Sequence, residues 1–249
     1  MTVPQERAEA ARAQMLELFP HGFEEVVSET SVELVGYTDS AGEEHFMHEF
    51  SGARSSEVEL GWEERWRVFH KPVQIGPLWV GPPWERPPAD VIPVVIDPGR
   101  AFGTGSHATT RLCLQHLIEL AGEPHSLLDV GCGSGVLAIA ASALGFEPVV
   151  AVDSDPAAVE ATQANAARNG VTIEVALVDA AAAEPIDADV TVANISIEGV
   201  LALGPRLRSP LAITAGYLVS ERPSLPGYRL VSRREVDAWA ADLHARETP

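Results

Sequence analysis

The stretch Leu127-Leu128-Asp129-Val130-Gly131-Cys132-Gly133-Ser134-Gly135 constrains this chain more than any other. Its first four residues read as a buried strand, its three glycines alternate, and an apolar run over 136–144 follows. Strand, glycine turn and helix, in that order, open a nucleotide-binding βαβ unit. Glycine is needed there because the bend is tight and a ligand must approach the backbone without meeting a Cβ. The spacing is G-x-G-x-G behind an acid, and Val136 stands where a dinucleotide fingerprint would place its third glycine. Asp129 would repel a pyrophosphate seated on the helix N-terminus. It suits a cofactor with a cationic amino-acid end, which points to S-adenosylmethionine.

The rest of the unit agrees. Residues 148–152 form a short apolar strand that ends in Asp153, and a carboxylate at that tip is placed to accept both ribose hydroxyls of an adenosine. Asp155, Pro156 and the closing Asn169-Gly170 bound an alanine-rich helix over 157–168. A third strand over 172–178 runs into Asp179, which either reaches the adenine amino group or caps the next turn. A fourth strand over 189–194 ends at Asn194. Ligands of open parallel sheets lie outside the carboxyl ends of the strands. Asp153, Asp179 and Asn194 therefore point at the crevice of the glycine turn. A short helix over 195–203, a fifth strand over 210–214 and a closing antiparallel hairpin over 228–236 and 238–246 follow. Residues 221–227 are too few and too proline-rich for a full crossover helix.

Upstream, residues 98–110 hold three glycines, three threonines and His107 directly before a helix over 110–120 that Thr109 or Thr110 can cap. Such a segment offers N–H and hydroxyl donors to a ligand carboxylate and can fold over the cofactor. His107 alone reads as a structural histidine. Residues 61–93 read as a connector. A short helix over 62–70 carries Trp62, Trp66 and Phe69, and the prolines that follow exclude regular structure. Trp79 and Trp84 either pack this connector onto a domain or line a ligand pocket. In residues 1–60, Ala8, Ala11, Met15 and Leu18 form one stripe of a helix over 4–19. Strands over 24–29 and 31–38, a short helix over 43–50 and a strand over 56–60 complete a small α+β module. It serves recognition or is a structural appendage.

The chain has 249 residues, enough for one large or two modest domains. Its 36 acidic against 17 basic residues give a net charge of −19, which argues against stable nucleic acid binding and is compatible with a basic protein partner. The two cysteines have neither disulfide nor metal-ligand spacing. No apolar run approaches the roughly 18 residues of a membrane span, and the polar N-terminus has no signal-peptide core. The expectation is a soluble, cytoplasmic, metal-free monomer.

The segments 98–112, 128–140, 152–156 and 192–195 together resemble the ribosomal protein L11 methyltransferase family (PrmA), class I S-adenosylmethionine-dependent enzymes. The first of these is the specific one, since most class I methyltransferases share the glycine turn. The resemblance implies a Rossmann-like α/β methyltransferase sheet with an antiparallel C-terminal hairpin over 94–249. It also implies a small ferredoxin-like substrate-recognition domain over 1–60. It implies cofactor contacts at Phe102, Gly103, Thr104, Thr110, Gly131, Asp153 and Asn194. It implies methyl transfer to lysine and/or N-terminal amines of ribosomal protein L11, leaving S-adenosylhomocysteine. Two departures bear on the acceptor: the sequence shows no readable first strand for the ferredoxin-like module, running from Met1-Thr2-Val3 into the helix, so that strand is expected to be missing, and the last crossover is short.

Methyl transfer from a sulfonium is an in-line displacement, so the protein's task is to hold nucleophile and methyl carbon in line. The motif segments show no poised general base. Asn194 is the candidate catalytic residue, orienting the lone pair of a neutral amine while solvent takes the proton. Other acceptors stay open: another protein, a small molecule, or none, as in a non-catalytic adenosine-binding module. A nucleic-acid base methyltransferase fits less well, because Ile195-Ser196-Ile197 supplies no aromatic to stack a flipped base.

Overall fold

The computed structural model describes residues 71–97, 105–122 and 125–247. Of the first 70 it describes Thr2–Pro4, Glu24–Val27, 30–36, 53–55, Arg7, Ala11, Met15, Phe46, Met47 and Phe50. The strand expected over 56–60, the helix expected over 62–70, most of the helix over 4–19, and Phe102, Gly103 and Thr104 lie outside the described residues. The chain divides into two compact units, 1–63 and 64–249.

In the first unit, β1 (Thr2–Pro4), β2 (Glu24–Val27) and β3 (Ser31–Val35) form an antiparallel sheet in the order β1–β3–β2. This corrects the expectation of a missing first strand: Thr2 pairs with Glu33, Val3 with Val32 and Pro4 with Ser31. Three residues ending in proline carry no readable alternation, so only the long-range pairing reveals them. Val32 and Leu34 point inward on alternate positions and meet Ala11, Met15, Phe50 and Ala53. Two of the four positions of the expected helical stripe are thus core.

In the second unit, three short strands occupy the stretch expected to be irregular: β4 (Val73–Ile75), β5 (Leu78–Gly81) and β6 (Ile92–Val95), in the order β4–β5–β6. The prolines do not prevent this because of where they fall. Pro72 and Pro77 flank β4 and the turn after it, and Pro82, Pro83, Pro87 and Pro88 lie in the loop from β5 to β6. Pro93 lies in the edge strand β6. Ile92 and Ile96 donate their N–H groups to Pro77 O and Gly81 O, so by strand alternation the nitrogen of Pro93 faces away from the ladder. Trp79 is buried.

The main sheet has seven strands: β7 (Leu127–Val130), β8 (Val149–Asp153), β9 (Glu174–Leu177), β10 (Val190–Asn194), β11 (Leu211–Leu218), β12 (Tyr228–Val236) and β13 (Trp239–Arg246). Their order is β12–β13–β11–β10–β7–β8–β9. Pairings from β11 through β9 are parallel, and β13 and β12 close the sheet antiparallel. The chain runs outward from β7 to β9, then returns to β10 on the other side. The order therefore reverses between β7 and β10, where a doubly wound sheet opens a crevice.

Among the described residues, four helices cover the sheet: α1 (Ala108–Leu120), α2 (Val136–Ala143), α3 (Pro156–Asn169) and α4 (Ile197–Leu203). Asp155 caps α3 through Ala157 N at 2.9 Å, Pro156 starts it, and Gly170 ends it in the left-handed conformation. The strands bury both faces. Leu127 joins a core with α1, α2 and β4–β6, while Leu128 and Val130 join a second with Val200, Leu203 and Leu225. Leu225, from the short crossover, covers the sheet face there.

Candidate active site

A cavity of about 380 Å³ opens at the carboxyl ends of β7, β8, β9 and β10, within the size range of small-molecule sites. Thr110, Gly131, Gly133, Asp153, Asp179, Asn194 and Ile195 line it. Of the residues expected to contact a cofactor, Thr110, Gly131, Asp153 and Asn194 come together here; Phe102, Gly103 and Thr104 are outside the described residues.

The glycine turn folds back on β8. Gly131 and Cys132 both direct their N–H groups to Val152 O, at 2.9 and 3.1 Å. Gly131 has φ +73°, and a Cβ there would lie 2.4 Å from Ile195 Cγ2, so only glycine lets the turn and the β10–α4 loop approach this closely. Asp153 is held on both oxygens: Gly133 N–H donates to Oδ2 and Asp155 N–H to Oδ1, each at 3.0 Å. A carboxylate fixed by two backbone donors keeps further lone pairs for a diol. Asp179 caps the next turn, its Oδ1 accepting from Ala181 N at 3.0 Å, and it also lines the cavity.

Asn194 ends β10 and donates through Nδ2 to Thr110 Oγ1 at 3.3 Å. That bond leaves its carbonyl oxygen as an acceptor at the cavity. Thr110 is available because α1 begins earlier than expected. The N-cap is His107, not Thr109 or Thr110: His107 Nδ1 accepts from Thr109 N at 3.4 Å and lies 2.8 Å from Thr109 Oγ1. An imidazole nitrogen can take the first free helix N–H as a hydroxyl would. The His107 ring also meets Trp239 edge-on, with centroids 4.9 Å apart.

Asp129 does not line the cavity, contrary to the reading that set it beside a cationic ligand. Strand alternation turns it with Leu127 toward α1 and α2, away from the face of Leu128 and Val130. It is 1% exposed, its Oδ2 accepts from Ala138 N at 3.1 Å in the first turn of α2, and its Oδ1 has no partner. Burial, with a smaller push from Asp153, raises its pKa to about 7. Cys132 lines the cavity, but burial pushes its thiol up to about 12, so it is an inert wall.

Sequence reading also passed over a polar ladder on α3. Thr162, Asn165 and Asn169 recur at helical spacing on one face of an otherwise alanine-rich helix, which is the signal that could have found them. Thr162 Oγ1 donates to Gly133 O at 3.0 Å, beside Cys132 Sγ at 3.2 Å. Asn165 is 1% exposed and donates through Nδ2 to Ser134 O at 2.9 Å. Thr162 and Asn165 thus carry the carbonyls of the glycine turn. Among the described residues no group of three His, Cys, Asp or Glu could hold a metal, and no helix is long and apolar enough to cross a membrane.

Residues 7–220 match the family model of ribosomal protein L11 methyltransferase (PrmA). The protein of that name from Symbiobacterium thermophilum is 39% identical over 200 residues, 76% of this chain and 63% of its own length. The one from Dechloromonas aromatica is 52% identical over 116 residues, 47% of this chain and 38% of its own. A crystal structure described as ribosomal protein L11 methylase from Lactobacillus delbrueckii subsp. bulgaricus has a TM-score of 0.66 and 29% identity, covering 71% of this chain and 99% of that one. The chain spans less than two thirds of the length of these curated relatives.

Proposed function

Because the chain belongs to the ribosomal protein L11 methyltransferase family, we propose that it transfers methyl groups from S-adenosylmethionine to lysine and N-terminal amines of ribosomal protein L11. The observation that carries this reading is the meeting of Thr110, Gly131, Asp153 and Asn194 around one cavity at the reversal of strand order. The fixed carboxylate of Asp153 takes the ribose hydroxyls, and the bare backbone at Gly131 lets the cofactor lie against the turn. When bound, S-adenosylmethionine supplies an electrophilic methyl group.

The protein's part in the chemistry is placement. A lysine, with an ordinary pKa of about 10.4, must first lose a proton to solvent, whereas an α-amine at about 7.7–8.0 is already about a fifth to a third neutral at physiological pH. The carbonyl oxygen of Asn194, left free by the bond from Nδ2 to Thr110, accepts an N–H of the neutral amine and turns its lone pair toward the methyl. The first unit recognises the acceptor protein. A cytoplasmic, monomeric enzyme without a stable hold on nucleic acid goes with this reading, and the net charge of −19 favours the last point.

The test is incubation with methyl-labelled cofactor and recombinant ribosomal protein L11, read by mass spectrometry. Methylated lysine and N-terminal peptides are expected. Label on a different protein in a lysate, with none on L11, would keep the enzyme and replace its acceptor. Absence of transfer to every acceptor would overturn the reading.

A further inference from the structure

We propose that Asn165 is a positioning residue that sets the cofactor affinity of this site, by tying the chain at Asp97, just past β6, to the glycine turn that backs the cavity. The inference rests on the methyltransferase reading above and adds to it a residue outside the cavity wall.

The argument begins at the open edge of β6. Alternate N–H groups of an edge strand face away from their sheet and need partners. Ile92 and Ile96 donate inward, so Val95 and Asp97 donate outward. Two side chains of α3, one turn apart, receive them. Val95 N–H donates to Asn169 Oδ1 at 2.8 Å, and Asp97 N–H donates to Asn165 Oδ1 at 3.0 Å. Asn169 Nδ2 donates back to Val95 O at 2.7 Å and to Asn165 O at 2.8 Å. The two amides thus stand in for a neighbouring strand.

They differ in what lies behind them. The bonds of Asn169 end on β6 and on its own helix. Asn165 spends its Nδ2 on Ser134 O, in the turn whose next residue is the left-handed N-cap Gly135. One buried amide therefore spans two places: the last described residue before the 98–104 segment, and the turn that backs the cavity. On the other side of that segment, Gly105 is packed against Val80, with Val136 beyond. The salt bridge of Arg168 to Asp97 at 3.1 Å holds the same residue, but both side chains are about 40% exposed, so it is the weaker tie.

Geometry separates the two asparagines by experiment. Asn165→Asp keeps the acceptor for Asp97 N–H but sets an oxygen against Ser134 O. Asn169→Ala removes the strand mimicry and leaves the turn untouched. We expect Asn165→Asp to raise the Kd for S-adenosylhomocysteine, and the KM for S-adenosylmethionine, about tenfold, the equivalent of about one buried hydrogen bond lost. Its kcat at saturating cofactor should stay within about threefold. Asn165→Gln, which keeps the amide, should recover part of the affinity. Asn169→Ala should lower the melting temperature with Kd within about twofold of wild type. As a check independent of any variant, cofactor product should slow exchange of the Asp97 amide in the wild-type chain. Unchanged Kd in Asn165→Asp, equal loss of affinity in Asn169→Ala, or indifference of the Asp97 amide to the ligand would each overturn the inference. Failure of the wild-type chain itself to bind S-adenosylhomocysteine would instead take down the methyltransferase reading and this inference with it.

Discussion

Asn194 and Asp129 show how differently two polar residues at strand ends can be used. Asn194 anchors its amide nitrogen on Thr110 and keeps its oxygen for the cavity. Asn194→Ala should therefore cut kcat by a factor on the order of 100, the scale of a lost oriented contact at a reacting atom. The Kd for S-adenosylhomocysteine should move only severalfold; equal losses in both would reduce Asn194 to a cofactor contact. Asp129 instead faces the core and holds a proton that an unfolded chain releases near pH 3.9. Between that value and about 7 the native state binds the extra proton, so this group's contribution to stability falls as pH rises and then levels off above the folded pKa. The loss is at most about 4 kcal/mol. Urea midpoints of wild type and Asp129→Asn at pH 5 and pH 8 check the sign. The variant should gain on wild type at pH 8, and parallel profiles would show that Asp129 is ionised at both.

At the level of elements, the end of β11 supports the tip of β10. The register of β11 against β13 shifts between Ala215 and Tyr217, and Gly216 sits in that bulge with φ +101°. A Cβ on Gly216 would lie 1.9 Å from Ile195 O, next to Asn194. Ile195 N–H donates to Ala215 O at 3.1 Å, so the bulge and the tip of β10 move as one. The seam is tied further out: Tyr217 OH donates to Asp242 Oδ2 at 3.0 Å, Arg233 donates to the same oxygen at 3.0 Å, and Arg233 also reaches Val219 O and Glu221 O. Gly216→Ala should thus destabilise by at least about 2 kcal/mol, from strain at positive φ and the backbone clash, and should weaken cofactor binding as well. A chemical-denaturation midpoint equal to wild type would mean that β11 yields at the bulge. This element was only half legible. An apolar run over 210–214 announces a strand, but its extension to Leu218 depends on pairing with β13, far along the chain.

For the molecule as a whole, a net charge of −19 would act at long range on the basic protein acceptor proposed above. Screening shortens from about 10 Å at 0.1 M salt to about 3 Å at 1 M. The KM for ribosomal protein L11 should rise severalfold over that span, while the KM for S-adenosylmethionine, enclosed in the cavity, should move less than about twofold. Steady-state kinetics at both ionic strengths decide it, and equal movement of the two constants would remove charge steering of the acceptor.

What the sequence determined by itself is whatever depends on neighbours along the chain. Alternating glycines after an apolar run specify a strand–turn–helix, Asp155-Pro156 and Asn169-Gly170 bound α3, and Asp153, Asp179 and Asn194 at strand ends mark the side on which the cavity opens. Tertiary structure decided whatever depends on a distant partner. It turned Asp129 inward, because a strand buried on both faces gives no sequence sign of which face looks at the cavity. It made strands of Thr2–Pro4 and of the proline-rich stretch, because a short strand exists only through its ladder. It moved the helix cap to His107 and gave Asn165 two backbone segments to join, because a side-chain hydrogen bond is chosen by what folding brings within about 3 Å, and the chain's order does not contain that distance.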